Sequence, residues 1–354
     1  MTEEAYMLNS ICIMRLSALG DVTHVIPVVK SLQAKVPGIE ITWVTGKLEA
    51  KLVGDLPGVE FITFDKKAGY KGYTALRRAM RGRHFDALLH MQVSLRANLA
   101  TALIPATIKI GYDRARSKDL HGLFINQRIA AKPEQHVRDC LASFLEPLGL
   151  PSAPPEWHIP LQDADYTLAR QHLAQDRMNL IVSPCASHKL RNWSSQRYAA
   201  LADYAVATHA ANVILVGSPA EFEKNICREI EELMEEEAVN ICGQDTLKQL
   251  TALLESADLL VSPDTGPAHI ANAMGTDVLG LYAASNPERS GPYNSLAWCV
   301  DRYPDALQTF TGKTVSQARW GAKAEFEGAM DMISVDDATD MLDRWVARHA
   351  MAAH

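Results

Sequence analysis

The 354-residue chain, 47% hydrophobic and 22% charged, has the composition of a soluble globular protein. Its length suits two domains, because single cores rarely grow past about 250 residues, and its net charge of −7 argues against general nucleic-acid binding. The six cysteines (Cys12, Cys140, Cys185, Cys227, Cys242, Cys299) form no C-x-x-C pair and fit core thiols of a reducing cytosol, not a disulfide frame or zinc site.

Ile11–Leu16 reads as a buried strand, Ser17-Ala18-Leu19-Gly20-Asp21 as a turn, and Val22–Leu32 as the helix that follows. Gly20 lets backbone approach a ligand closely, but the turn is neither G-x-G-x-x-G nor a Walker A loop, so NAD binding and ATP hydrolysis have no motif behind them. Asp21 stands at the strand's carboxyl end, the edge where open α/β sheets take ligands. A helix-capping carboxylate is the plainer alternative. Further strands are expected at Ile39–Val44, Glu60–Phe64, Ala87–Met91 and Ile108–Tyr112. Cations crowd one stretch: Lys66, Lys67, Lys71, Arg77, Arg78, Arg81 and Arg83, with Arg114, Arg116 and Lys118 later. They suit an anionic partner or a solvated helix face. Tyr73 and Phe85 make no stacking platform, so nucleic acid is not expected.

Pro147, Pro151, Pro154, Pro155 and Pro160 enclose Glu156-Trp157-His158 and mark a linker near residues 150–160. Domains of residues 1–155 and 156–334 are therefore expected, with an amphipathic tail helix over 335–350 packing back toward the first. Strands recur at Leu180–Pro184, Val213–Val216, Val239–Cys242, Leu259–Ser262 and Val278–Tyr282, alternating with helical patterns as βαβ units of parallel sheets do. Two such domains imply a cleft between them that takes a small molecule. No apolar run approaches the roughly 20 residues of a membrane span, and the acidic start Met1-Thr2-Glu3-Glu4 does not read as a signal peptide.

The loop Ser183–Trp193, with Ser187, Lys189 and Arg191, offers open amides and fixed positive charge to a diphosphate. Gly217-Ser218-Pro219-Ala220-Glu221 is another turn at the ligand edge, where Glu221 accepts from ribose hydroxyls or merely caps a helix. Ser262-Pro263-Asp264-Thr265-Gly266-Pro267-Ala268-His269 closes a strand and opens a helix. Asp264 or Thr265 can cap it, Pro267 fits its first turn, and its free amides form a phosphate seat. His24, His136 and His269 are too scattered for a metal site, and neither metal nor cofactor is expected.

Arg15-Leu16-Ser17-Ala18-Leu19-Gly20-Asp21-Val22-Thr23-His24-Val25-Ile26-Pro27 resembles the opening motif of the family 9 glycosyltransferases, the lipopolysaccharide heptosyltransferases. The Ser262–His269 stretch resembles that family's second-domain signature. Arg191-Asn192-Trp193-Ser194 is similar to its Lys/Arg-x-Trp-Pro element, with serine in place of proline. The resemblance implies a GT-B architecture of two Rossmann-like domains. It implies metal-free, inverting transfer of heptose from an ADP-heptose donor to a Kdo-lipid A type acceptor by a cytoplasmic enzyme that visits the inner membrane peripherally. By the resemblance, Asp21 is the general base. Ser17, Gly20, Ser187, Arg191, Glu221, Asp264, Thr265, Gly266 and His269 serve the donor; Lys71, Arg77, Arg78, Arg81, Arg116 and Lys118 serve the acceptor. Gly111–Lys118 is similar to an acceptor-side loop of the heptosyltransferase I branch. A GT-B nucleotide-sugar epimerase and a non-catalytic nucleotide-binding module are the competing expectations.

Overall fold

The structure, a computed structural model, describes residues 8–151 and 154–352, so the acidic Met1–Glu4 start and part of the 150–160 linker lie outside the described residues. The chain divides into two units, Met1–Pro160 and Leu161–His354. In the first, β1 (Ser10–Met14), β2 (Glu40–Gly46), β3 (Val59–Phe64), β4 (Phe85–His90), β5 (Ala106–Gly111) and β6 (Gln127–Arg128) form one parallel sheet ordered β3-β2-β1-β4-β5-β6. In the second, β7 (Asn179–Val182), β8 (Asn212–Leu215), β9 (Val239–Asn240), β10 (Leu259–Ser262), β11 (Asp277–Tyr282) and β12 (Cys299–Asp301) form another, ordered β12-β11-β10-β7-β8-β9.

Counted from its own first strand, the second order is the first read from the other end. Each sheet therefore reverses its strand order once, between β1 and β4 and between β7 and β10. Crossovers leave in opposite directions there and open a crevice at the strands' carboxyl ends. The central strands are buried on both faces, as helix-covered parallel strands are: Ile11 to Met14 and Leu259 to Val261 are inaccessible. β6 and β12 were not legible in the sequence. Each is a two- or three-residue edge strand; Gln127 and Arg128 of β6 are exposed, and β12 buries only Cys299 and Val300.

The helix expected over Val22–Leu32 is two helices, Leu19–Thr23 and Ile26–Lys35. Pro27 has no N–H to give the carbonyl of Thr23 four residues back. The Trp157 indole supplies that hydrogen bond instead, at 3.1 Å, tying the proline-rich passage to the first unit.

The tail helix, Val335–Ala352, corrects the expectation that it packs back on the first domain. Its apolar stripe is spent in the second unit: Ala338, Leu342 and Trp345 are buried in that core. Trp345 donates to Asp277 at 2.9 Å, and Asp343 accepts from Tyr204 at 2.8 Å. Truncating Trp345 to Ala should cost about 3–5 kcal/mol, as aromatic-to-Ala changes in cores do, read as a fall in urea midpoint. A loss under about 1 kcal/mol would make the tail a surface appendage.

Candidate active site

At the switch point of the first unit, Asp21 sits in the short helix Leu19–Thr23, and its Oδ2 accepts the Ala18 N–H at 2.9 Å. The same oxygen is paired with the Arg15 guanidinium, which is nearly buried while Asp21 is about a third exposed. Asp21 is therefore partnered by a nearly buried cation. Burial alone would lower the Arg15 pKa, but Asp21 and Tyr112 outweigh it and hold it charged. Arg15 also donates to the Met91 carbonyl, which accepts from the Tyr112 hydroxyl at 3.1 Å. Gln92 bridges the end of β4 to the turn, accepting from Leu16 N–H at 2.6 Å and donating to Ser17 Oγ at 3.3 Å. Ser17 is thus held by the turn, and Gly20 is buried beneath it.

At the switch point of the second unit, Thr265 caps the helix Gly266–Met274, its Oγ1 accepting the Ala268 N–H at 3.3 Å, with Pro267 in the first turn. Ser262 Oγ lies 2.7 Å from Thr265 Oγ1 and donates to the Ser183 carbonyl at 3.1 Å, joining the ends of β7 and β10. Asp264 does not cap. Its carboxylate accepts from Lys323 Nζ at 3.1 Å and lies 3.5 Å from Arg191 Nη1 and 3.7 Å from His269 Nε2. Arg191 donates to Glu325 at 2.7 Å. Burial opposes ionisation of Asp264, yet the neighbouring His269 ring and the Lys323 and Arg191 charges hold its carboxyl well below the usual range. The Lys323 ammonium is pushed down by burial, with Asp264 pulling against it. Charged groups clustered beside a helix N-terminus are suited to holding an anion. His269 stands behind Asp264, whereas Ser187 is exposed on the loop above.

Lys323 and Glu325 were missed in the sequence. They lie on a loop 59 and 134 residues from their partners Asp264 and Arg191, and no local motif marks them.

The residues expected on the acceptor side separate in the structure. Helix Tyr70–Ala79 runs antiparallel to its flanking strands, so Lys71 starts it at the ligand edge while Arg77 and Arg78 end it at the other. Arg83 pairs there with Glu60, at the beginning of β3. Arg77, Arg78 and Arg81 thus lie toward the sheet edge opposite Asp21. Arg116 is an internal brace: it pairs with Asp113 and donates to Gln135 at 2.8 Å and the Ala130 carbonyl at 2.9 Å. Lys118 is exposed on the same loop. At the Gly217 turn it is Glu223 that accepts from Ser218 N–H, at 2.7 Å, while Glu221 opens the helix as an exposed residue.

Residues 73–316 match the sequence model of glycosyltransferase family 9 (heptosyltransferase). The chain belongs to that family. It is 41% identical to the lipopolysaccharide core heptosyltransferase OpsX of Haemophilus influenzae, over 93% of this chain and 94% of that one. It is 24% identical to the lipopolysaccharide heptosyltransferase 1 of Salmonella typhimurium, over 82% and 93%. Among solved structures it resembles a Veillonella parvula family 9 glycosyltransferase, with TM-score 0.79 and 20% identity over 97% and 99% of the two chains. It also resembles the Escherichia coli heptosyltransferase WaaC, with TM-score 0.65 and 20% identity over 86% and 99%. The protein is a glycosyltransferase, and its fold is GT-B.

Beneath Arg15 the transferase buries a polar layer. Tyr112 N–H donates to His121 Nε2 at 3.1 Å, so His121 carries its proton on Nδ1, 3.0 Å from Asn98 Oδ1. His90 Nε2 meets the same oxygen at 2.8 Å, and Asn98 Nδ2 donates to the Asp119 carbonyl at 2.6 Å. Burial, reinforced by His121, drops the His90 pKa from 6.5 to about 3; burial, then Arg128, drops that of His121 to about 4. Both are neutral when folded, whereas the unfolded chain binds protons below its ordinary histidine pKa near 6.5. Stability should therefore fall as pH drops from 6.5 toward 4, and His121→Asn should flatten that slope in denaturant titrations at several pH values. An unchanged slope would assign the acid sensitivity to other groups.

Proposed function

We propose that the transferase moves L-glycero-D-manno-heptose from ADP-heptose, with inversion, onto an anionic, lipid-linked Kdo sugar of the lipopolysaccharide inner core, working as a peripheral visitor to the membrane. The observation that carries this reading is a capped helix N-terminus in the second unit with Arg191 and Lys323 gathered round Asp264. The family membership supports it, as do the E. coli heptosyltransferase structures solved with ADP and with ADP-2-deoxy-2-fluoro heptose. No helix among the described residues is long and apolar enough to cross a membrane.

In this reading the donor diphosphate lies on the amides that open helix Gly266–Met274 and competes with Asp264 and Glu325 for Lys323 and Arg191. Charge builds on the departing phosphate as the bond from the heptose anomeric carbon breaks, and fixed cations and amides stabilise it most at that moment. The acceptor hydroxyl attacks from the opposite face of the sugar and gives its proton to Asp21. A single displacement of this kind inverts the anomeric centre. Arg15 occupies Asp21 Oδ2 and so fixes the carboxylate, leaving Oδ1 as the oxygen for the proton. Lys71 and Lys118 stand as acceptor contacts and Glu221 as a ribose contact.

Release of ADP from ADP-heptose should require Kdo-lipid A; turnover of the donor without any acceptor would point to an epimerase, and ADP binding without turnover to a non-catalytic module. Asp21→Asn should cut kcat at least about 100-fold while the Kd for ADP stays nearly unchanged. Near-normal turnover would leave Asp21 as a helix-end carboxylate only. Arg191→Ala should weaken ADP binding by about 1.5–3 kcal/mol, as loss of a charge-assisted hydrogen bond does. An unchanged ADP titration would move the phosphate site elsewhere.

A further inference from the structure

Four leucines of the first unit stand out of its surface: Leu95 is 52% exposed, Leu99 44%, Leu120 67% and Leu123 77%. Leu95 and Leu99 are one turn apart on helix Leu95–Thr101 and share its outer face. Leu120 precedes, and Leu123 ends, the single turn His121–Leu123. The two elements are bolted together from beneath, since Asn98 donates to the Asp119 carbonyl and meets the His121 ring. Scattered exposed leucines need no explanation, but four on two joined elements make a patch.

Two further features point to what covers it. Asp119 and Leu120 take consecutive left-handed conformations, φ 54° and 61°, which L side chains rarely adopt, and this holds Leu120 outward with no burial to compensate. Along helix Leu95–Thr101 and the stretch Arg114–Leu123 the exposed charged groups are Arg96, Arg114 and Lys118 against the single acid Asp119, and the exposed Arg128 packs on Gly122. The local sign is thus positive in a chain of net charge −7. Apolar side chains inside a ring of cations suit the boundary of an anionic bilayer, where leucines enter the acyl region and arginines reach lipid phosphates. The patch also lies on the row that leads from Asp21 through Arg15 and the Met91 carbonyl to Tyr112 and His121.

We propose that Leu95, Leu99, Leu120 and Leu123, with their surrounding arginines, dock the first unit on the surface of an anionic phospholipid bilayer. The contact rests on the peripheral-membrane part of the function proposed above and is tested without donor or acceptor, so its failure would leave the sugar-transfer assay untouched. The full chain should float with vesicles of phosphatidylethanolamine and phosphatidylglycerol at low salt, and much less with phosphatidylcholine alone. Changing the four leucines to serine should lower the partition coefficient by about tenfold or more. Arg96→Glu with Arg114→Glu should lower it by about tenfold and remove its salt dependence. Leu120→Gly separates docking from folding: glycine is at ease at this φ, so Tm should hold while vesicle binding falls severalfold. The proposal is overturned if the unaltered chain ignores anionic vesicles, or if the four-serine variant binds them as well as the unaltered chain does. It is equally overturned if sedimentation velocity without lipid shows a dimer that the four-serine variant abolishes, because a second copy would then be the occupant.

Discussion

Everything functional in this molecule hangs on the point where a parallel sheet reverses its strand order. Between β1 and β4, and again between β7 and β10, the crossover connections part and leave the strand ends uncovered. Asp21, the arginine that pairs with it and the charged cluster round Asp264 each follow one of those four strands directly or reach back to one that does. Ser17, Gly20 and Asp21 follow β1, and Gln92 follows β4; the Ser183–Arg191 loop follows β7, and Asp264 to Gly266 follow β10. Repeating one topology in each unit supplies two such ends, one suited to a phosphate and one carrying a carboxylate beside an arginine.

The two ends handle buried charge differently. In the second unit, Asp264 is almost fully enclosed and ionised only because Lys323, Arg191 and His269 surround it. A carboxylate in such a place is costly unless paired, and removing one partner leaves the other stranded. In the proposed function Asp264 is the counter-ion that keeps two cations in place until the donor's phosphates take them. In the first unit, Arg15 is the enclosed partner and Asp21 the exposed one, so the carboxylate is held firmly yet remains open to solvent. The buried histidine and asparagine layer supports the same edge, because it fixes Tyr112 and the loop after β5.

The α/β repeat was legible because buried parallel strands are continuous apolar runs; Ile11–Met14 and Leu259–Val261 announce themselves. The turns at Asp21 and Asp264 were legible because caps, prolines and glycines are local signals. What escaped was everything set by tertiary reach. Pro27 stands inside a helical pattern, and only the Trp157 indole, 134 residues from the Thr23 carbonyl that it reaches, shows how the break is made good. Arg77, Arg78 and Arg81 are close to Lys71 in sequence, yet a helix carries them to the other edge of the sheet. Arg116 looked like a ligand-facing cation until Asp113, Gln135 and Ala130 claimed its donors. Lys323 carries no motif, because what selects it is the carboxylate that it meets.

The central claim is that the nucleotide's phosphates belong to the second unit's strand reversal. A crystal structure of the protein with ADP tests it most directly. The expected result has the diphosphate on the N-terminal amides of helix Gly266–Met274, with Lys323 and Arg191 turned from Asp264 and Glu325 onto phosphate oxygens. A diphosphate seated instead on the Ser17–Asp21 turn of the first unit, with the Asp264 cluster undisturbed, would contradict it.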